Sequence, residues 1–514
     1  MLTIELTAAS ATLISTWTNA TSSTGGSHLS QGTYVSFPPT QKDRKYPEDI
    51  VSSDFAEALK VTSDVKATFK DNAEDLYARG NRLVHASVEA GVTSMRAHVE
   101  VDNIVNDACL KVGLKLRDKW TGICDIQIAV FMQDPIFNKK EDTSPGINAS
   151  ILANVLRNDP SLTVIGSAPY VERTRAQQLA NIDFILSFSI QHNLHVDFHL
   201  DYDLTPLPSP GSPSSSEPLI YHLLTRLTAL HWAILTSNRL ITIGHFTRLS
   251  LFSPTQLADL RARIADLPVH IVGLPQSDLY MMGRDHMYLR GIPRGTLNVC
   301  ALRAEHGFNA VMAVNNVGNA FTPQGVPDPL ALCTLGVAVY QDGTPSGCKH
   351  LLVKAVSIDS RRAIGDIPSE TSALMLIPQG GSPADFVILH GNHTLQSAVL
   401  DPSYDRTTIK SGKVVAWRKG IRDRTFEIDD RDGSTETVTL HNMLTLAARN
   451  THSLTHARTT ATAATAARVA RNSNSENHLI YLVAIVVAAQ SLELPTLNTP
   501  TRLRAKRNDV SNRF

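Results

Sequence analysis

Cysteine is scarce in this sequence, and its spacing argues against a cysteine framework. Among 514 residues there are five cysteines, an odd number, and no C-x-x-C occurs. Disulfide-stapled domains and cysteine zinc clusters need closely spaced pairs, so we expect neither. Scattered cysteines are typical of a reducing compartment, and we expect a cytoplasmic protein.

The sequence also lacks an excess of charge and a long apolar run. The 48 Lys and Arg residues balance the 48 Asp and Glu residues, so no overall basic field attracts nucleic acid or an anionic membrane. The longest apolar run, residues 479–489, is well short of the about 20 residues that cross a bilayer. The first twenty residues lack the basic start and apolar core of a signal peptide. We therefore expect neither a membrane nor a nucleic-acid partner.

The signature motifs of several enzyme classes are missing. There is no Walker A motif, no G-x-G-x-x-G, no G-x-S-x-G and no H-E-x-x-H, which argues against the nucleotide-binding, serine-hydrolase and zinc-protease classes that use them. An H-x-E occurs at residues 98–100 without the P-C-x-x-C that accompanies it in one class of zinc deaminases. His98 and Glu100 could line the mouth of the barrel, but we favour structural roles for both.

Strand-like and helical patterns alternate through most of the chain. Between residues 47 and 365, short apolar runs alternate with segments of helical periodicity such as 75–90 and 174–191, which is typical of a β/α fold. Most of the runs are continuously apolar, as in a parallel sheet covered by helices. About seven such units favour an α/β fold with a TIM-like (β/α)8 barrel whose first unit is obscure. The predicted strands are 93–99, 125–131, 162–166, 194–199, 241–245, 269–274 and 310–314.

The composition changes at both ends of this barrel region. Residues 1–46 are rich in Ser, Thr and Gly and predict an irregular N-terminal segment. Residues 366–430 contain two short strand patterns, 384–390 and 408–420, and predict a partial small β-sandwich appendage. Residues 431–514 are low in complexity and predict a disordered C-terminal tail.

Two of the predicted strands end in histidine. VDFH ends at His199, ITIGH ends at His245, and the amides Asn315 and Asn316 follow the strand AVMAV. Active sites of (β/α)8 barrels lie at the carboxyl ends of the strands. Neutral imidazole is a good ligand for zinc or ferrous iron, and such an ion can convert bound water to a nucleophile. From the residues alone, a metal site and a pair of hydrogen-bonded structural histidines remain open alternatives.

Six segments, in order along the chain, resemble one known superfamily. They are GVTSMRAHVEVD (91–102), DIQIAVFMQDPIF (125–137), VDFHLDY (196–202), ITIGHFTRLS (241–250), GLPQSDLYMMGR (273–284) and AVNNVGNAFTPQGVPDPL (313–330). Together with the appendage strands, they resemble the amidohydrolase superfamily and, within it, the cytosine-deaminase-like metal-dependent hydrolases. The resemblance covers residues 47–428.

This resemblance implies a chemistry and part of a site. It implies a divalent metal, zinc or iron, at His199 and His245, and contact of Gln133 with the substrate. The reaction it implies is hydrolysis of a non-peptide carbon–nitrogen bond in a small molecule such as a cyclic amidine, an amide or a nucleobase-like compound. Homo-oligomers are common in the superfamily, and a homo-oligomer is one expectation here.

Three departures from the family pattern bear on that chemistry. The His-x-His that ends the first barrel strand and supplies two metal ligands is missing. Tyr202 stands where the family has its acid/base glutamate, which leaves Asp201 as the nearest candidate for proton transfer. Asn315 stands where the family has the aspartate that activates water, and an amide cannot accept a proton as a carboxylate does. We predict that Asn315 occupies the water-side position and that Tyr202 and Asn316 contact the substrate.

These departures leave two functions open. The first is a metal-dependent hydrolase with changed or impaired chemistry. The second is a non-catalytic barrel that binds a small ligand or a protein partner. A divergent branch, a degenerate relative and an incorrectly assembled N-terminus would each explain the missing His-x-His.

Overall fold

The computed structural model describes residues 2–4, 6–12, 55–208, 217–236, 239–283, 295–366, 384–420, 425–429 and 435–439. The chain divides into two compact units, residues 1–420 and 421–514. Most of the Pro- and Ser-rich stretch after the strand that ends at His199 lies outside the described residues.

Eight parallel strands form the central sheet of the first unit. Each strand pairs with the next strand along the chain, in the order β2 to β9. This winding is that of a TIM-like α/β barrel, so the predicted fold class is confirmed. The strands are β2 (Leu6–Thr12), β3 (Val92–Glu100), β4 (Asp125–Met132), β5 (Val164–Ser167), β6 (His195–His199), β7 (Ile241–Gly244), β8 (Val269–Gly273) and β9 (Ala310–Met312).

The first barrel strand lies where the sequence predicts an irregular segment. Strand β2 is LTAASAT, and its Thr12 is in register with His98 of β3. This run of mostly Ala, Ser and Thr shows no apolar alternation and contains no Val, Ile or aromatic residue, so its sequence gives little strand signal. A separate short strand, β1 (Leu2–Ile4), precedes it. The rest of segment 1–46 lies outside the described residues.

Fourteen α-helices, counted within the described residues, connect and cover the strands. Local signals explain several helix ends: Ser253 and Gln256 form a capping box at the start of one helix, and Asn193 ends another in the left-handed conformation. The helices are α1 (Phe55–Lys66), α2 (Ala73–Glu89), α3 (Ala108–Trp120), α4 (Ile147–Asn158), α5 (Arg175–His192), α6 (Leu219–Ala229), α7 (Trp232–Leu235), α8 (Pro254–Ile264), α9 (Pro275–Met281), α10 (Val299–Ala304), α11 (Pro329–Tyr340), α12 (Pro345–Lys349), α13 (Ile358–Ala363) and α14 (Leu395–Leu400).

A small antiparallel sheet packs beside the barrel in the first unit. Its order is β1, β10 (Phe386–Leu389), β11 (Arg406–Lys410) and β12 (Lys413–Arg418). Arg406 is buried and donates to Asp328 and to the carbonyl of Ala90, each at 2.8 Å. Lys410 bridges Asp125 and Asp385. Because these bonds join the sheet to the barrel, the predicted appendage belongs to the same compact unit.

The second unit contains one described hairpin. Strands β13 (Thr425–Asp429) and β14 (Thr435–Thr439) pair antiparallel across the predicted boundary at residue 430. The rest of the predicted tail, from residue 440 onward, lies outside the described residues. Within the described chain, no helix has both the length and the apolar character needed to cross a membrane.

Candidate active site

Three histidine rings meet at the carboxyl ends of the barrel strands. His98 lies on β3, His199 ends β6, and His245 directly follows β7. The ring centroids of His98 and His199 are 5.3 Å apart, and those of His199 and His245 are 4.6 Å apart. The two histidines that the sequence places at strand ends therefore lie together, and a third joins them at the face where barrel enzymes have their active sites.

His98, Asp197 and His199 form a group that could hold a metal ion. All three are buried, and their ligand atoms lie within 4.8 Å of one another. Two atoms bound to one zinc ion lie at most about 4.2 Å apart, since each bond is about 2.1 Å long. Small side-chain movements would therefore close this group around an ion. Two imidazoles and a carboxylate suit zinc or ferrous iron.

Asp197 is also bonded to a buried arginine. Arg96 Nη1 lies 2.8 Å from Asp197 Oδ2 and 2.8 Å from Thr242 Oγ1. His98 Nε2 lies 3.3 Å from the same carboxylate oxygen. The carboxylate of Asp197 is thus held by two side chains of β3, and an ion bound here would share that carboxylate with Arg96.

Burial and neighbouring charges set the protonation of this group. Burial alone would raise the pKa of Asp197, but His98, Arg96 and His199 together hold that pKa well below its usual range. Burial is the main reason that the pKa of His199 lies well below its ordinary value, and His245 and His98 lower it further. At neutral pH Asp197 is therefore ionised and His199 is neutral, which are the states that bind a cation.

His245 is held in a strained backbone conformation by polar neighbours. Its φ is +57°, in the left-handed region that residues other than glycine seldom adopt. Asn315 Nδ2 lies 3.1 Å from His245 Nε2 and also donates to Ser277 Oγ at 3.1 Å. His245 Nδ1 lies 3.4 Å from Asp278 Oδ1. Since the amide of Asn315 donates, Nε2 accepts and Nδ1 carries the proton that faces Asp278.

A cavity of about 100 Å³ lies beside these histidines. His199 and His245 line it, together with the predicted substrate contacts Gln133, Tyr202 and Asn316. The ring centroids of Tyr202 and His245 are 4.3 Å apart. Asn315 lines the wall as well, so the structure brings six of the seven predicted site residues to one cavity, all except Asp201.

Helix α1 forms one side of the cavity. Phe55, Leu59, Thr62, Ser63 and Lys66 line it, and their spacing of four, three, one and three residues places them on one helical face. Phe55 contacts the ring of Tyr202, and Lys66 reaches a cluster of carboxylates that includes Glu100. Helix α1 therefore spans the cavity from an apolar end to a charged end.

Lys66 is surrounded by three carboxylates, which we call the acidic wall. Its Nζ lies 2.7 Å from Glu100, 2.5 Å from Asp102 and 2.9 Å from Asp134. Burial alone would lower the pKa of Lys66, but the three carboxylates outweigh burial and raise that pKa. Burial is the largest cause of the raised pKa of Glu100, and Lys66 opposes it. Lys66, Glu100 and Asp134 line the cavity, whereas Asp102 lies behind them.

Asp201 has a different role from the one that the sequence suggests. Its carboxylate accepts the backbone N–H groups of Leu219 at 2.7 Å and Ile220 at 3.1 Å, and it thereby caps α6. It is not among the described residues that line the cavity. Its positive φ of 50° turns the chain at this point. The structure therefore assigns Asp201 to helix capping instead of the predicted proton transfer.

Sequence reasoning missed several residues of this site. It favoured structural roles for His98 and Glu100 and gave no role to Asp197 or Lys66. One signal could have found His98 and Glu100. They are two residues apart on one strand, so they share the face that also carries Arg96. No local signal places Lys66 at the cavity, because the packing of α1 over the barrel brings it there.

Comparisons with known proteins support the fold. No family model matches the chain, and no curated protein matches it. A 5-methylcytosine deaminase from Klebsiella pneumoniae, liganded with phosphonocytosine, superposes with a TM-score of 0.64 and 19% identity over 82% of this chain and 88% of that one. The same deaminase with 5-fluorocytosine gives a TM-score of 0.63 over the same shares. The N-isopropylammelide isopropylaminohydrolase of Burkholderia multivorans gives 0.56 and 21% identity, over 81% of this chain and 86% of that one.

Proposed function

We propose that this protein is a divergent amidohydrolase that uses a divalent metal to hydrolyse a non-peptide carbon–nitrogen bond in a small molecule. One observation carries the proposal: His98, Asp197 and His199 converge beside a cavity at the carboxyl ends of the barrel strands. The fold is shared with a solved 5-methylcytosine deaminase and a solved N-isopropylammelide isopropylaminohydrolase. Barrel enzymes place their chemistry at this face.

The residues present fit a zinc or iron ion. His98, His199 and Asp197 would hold it, and they differ from the predicted pair because His245 lies outside the group. When bound, such an ion supplies Lewis acidity and lowers the pKa of coordinated water. Asp197 and His199 are in the protonation states that a cation needs, so binding does not require them to release a proton.

The remaining residues of the cavity position and orient the substrate. His245 presents an accepting Nε2 that is fixed by the amide of Asn315 and a proton at Nδ1 that faces Asp278. Gln133 and Asn316 offer amide donors and acceptors to a polar ring in the cavity, and Tyr202 packs against His245. Asn315 thus acts on the substrate through His245, as a positioning residue.

A non-catalytic ligand-binding barrel is the second candidate. Two observations favour it. Arg96 already neutralises the charge of Asp197, and Asn315 presents an amide where the amidohydrolase family that the sequence resembles has a carboxylate. Metal content and turnover separate the two functions, because the second candidate needs neither.

The test measures metal per chain in wild type, His98→Ala and His199→Ala after loading with zinc or ferrous iron. His195→Ala is the control, since it removes an imidazole from the opposite end of the same strand. We expect about one ion per wild-type chain. Each ligand variant should lose more affinity than the roughly 10- to 100-fold that follows loss of an outer hydrogen-bond partner. Thermal melting confirms that each variant is folded.

Turnover is assayed as ammonia release from 5-methylcytosine and amine release from N-isopropylammelide. The same two ligand variants should lose turnover, whereas His195→Ala should retain it. A wild-type chain without metal, even after refolding with zinc or iron, would refute the hydrolase and leave the binding module. Metal retained by both ligand variants would show that the ion lies elsewhere.

A further inference from the structure

The acidic wall leaves uncompensated negative charge at the cavity. Lys66 is the only lysine or arginine among the described residues that line the cavity, and it faces Glu100, Asp102 and Asp134. One ammonium cannot neutralise three carboxylates. With one of the three protonated, the group still carries a net charge of −1. Since Lys66 is bonded to all three, an anionic ligand would find no free ammonium here.

An unpartnered acceptor also lines this cavity. Asn316 is 8% exposed, and its Oδ1 is buried without a hydrogen-bond partner in the described part of the chain. A buried amide oxygen that lacks a donor loses its hydration without gaining a hydrogen bond in return. Asn316 is also one of the residues that line the cavity, where a ligand with an N–H or O–H group would supply a donor.

Aromatic side chains form part of the cavity lining. The ring centroid of Phe55 lies 5.8 Å from that of Tyr202 and 5.6 Å from that of Phe321. The ring centroids of Tyr170 and Tyr202 are 5.8 Å apart. All four side chains line the cavity. Aromatic faces favour flat rings and attract cations. A planar ligand with positive charge satisfies both preferences.

We propose that the cavity selects a planar ligand that carries a cationic N–H group, such as an amidinium or a protonated amino-heterocycle. The cation faces Asp134 and Glu100 of the acidic wall, an N–H donates to Asn316 Oδ1, and the flat ring lies among the aromatic side chains. This inference rests on the proposed function only in taking the cavity as the substrate site. It narrows the substrate class from any small carbon–nitrogen compound to a positively charged one.

Three planar probes of matched shape test the charge preference. Benzamidine is cationic, benzamide is its neutral counterpart, and benzoate is anionic. Binding of each to the purified full chain is measured by calorimetry. We expect benzamidine to bind at least fivefold more tightly than benzamide, as about 1 kcal/mol from a partly screened charge predicts. Benzoate should bind most weakly of the three.

Two variants locate the preference, and a third is the control. Asp134→Asn should weaken benzamidine roughly fivefold and leave benzamide unchanged, because it removes charge alone. Asn316→Leu should weaken both N–H probes, since it removes an acceptor and no charge. Asp118→Asn removes the same charge from the exposed surface of α3 and should change neither probe. Melting temperatures establish that the variants are folded.

The inference is overturned if benzamide or benzoate binds as tightly as benzamidine, if benzamidine does not bind, or if Asp134→Asn leaves its affinity unchanged. Binding is measured on chelator-treated protein, so these outcomes do not depend on the metal ion of the proposed hydrolysis. Charge selectivity without metal or turnover would refute the hydrolase alone. Metal and turnover without charge selectivity would refute this inference alone.

Discussion

Replacement of Arg96 by methionine removes the positive half of an ion pair buried in the barrel. The guanidinium is fully buried, and its Nη1 lies 2.8 Å from Asp197 Oδ2. Its Nε donates to Gln127 at 2.7 Å, and its Nη2 donates to the carbonyl of Ile364 at 3.0 Å. Methionine fills a similar length but donates no hydrogen bond. The variant would therefore leave a buried carboxylate without its guanidinium.

The separation of the pair sets the magnitude. At 2.8 Å and an effective dielectric constant of about 20, the attraction amounts to about 6 kcal/mol. Desolvation offsets part of this attraction, and loss of one partner of a buried pair costs about 3–5 kcal/mol. We expect Arg96→Met to lower the free energy of unfolding by that amount. The double variant with Asp197→Asn should lose less than Arg96→Met alone, because no buried charge is then left uncompensated.

Urea denaturation of chelator-treated protein at neutral pH, followed by circular dichroism, measures these free energies. Chelation removes any contribution of a metal ion on Asp197. Arg117→Met is the control, since it breaks an exposed pair with Asp118 and should cost less than about 1 kcal/mol. A loss below about 1 kcal/mol in Arg96→Met would refute the reasoning. So would a double variant whose loss equals the sum of the two single losses.

Two further predictions concern stability. Burial raises the pKa of Asp201 to about 6, above the 3.8 of an unperturbed carboxyl. The folded state therefore binds more protons than the unfolded state between these values, and the free energy of unfolding should fall as the pH rises from about 4 to 6, by at most about 1.4 kcal/mol per unit. Asp201→Asn should remove this pH dependence of the free energy of unfolding in urea titrations. An unchanged dependence would contradict the raised pKa of Asp201. Gly166→Ala would place a Cβ 2.1 Å from the carbonyl oxygen of Asp197 and should lower stability by about 1–3 kcal/mol or more. Gly343→Ala meets side chains only at 3.5 Å or more, and equal melting temperatures for the two variants would refute the packing argument.

The sequence predicted seven of the eight barrel strands because each is a short apolar run between helical segments. The predicted strand 125–131 corresponds to Asp125–Met132, and 194–199 corresponds to His195–His199. The first strand was missed because LTAASAT carries no apolar alternation. Its pairing with β3 identifies it, and that pairing joins residues about 85 positions apart.

In the candidate site, too, some features could be predicted from the sequence and others only from the tertiary structure. A histidine at the end of an apolar strand of a parallel barrel must lie near the carboxyl face, so His199 and His245 could be placed from sequence. The direction of Asp201 could not, because a positive φ after the strand turns its carboxylate to the start of α6. Local sequence does not encode that turn.

By itself, then, the sequence determined the class of fold and the strand ends at which polar chemistry collects, since both follow from periodicity along the chain. Only the tertiary structure decided which charges meet. Asp197 joins Arg96 across about one hundred residues, and Lys66 reaches three carboxylates from helix α1. Such pairings depend on distances in space between distant segments, and a periodic pattern along the chain carries no information about them.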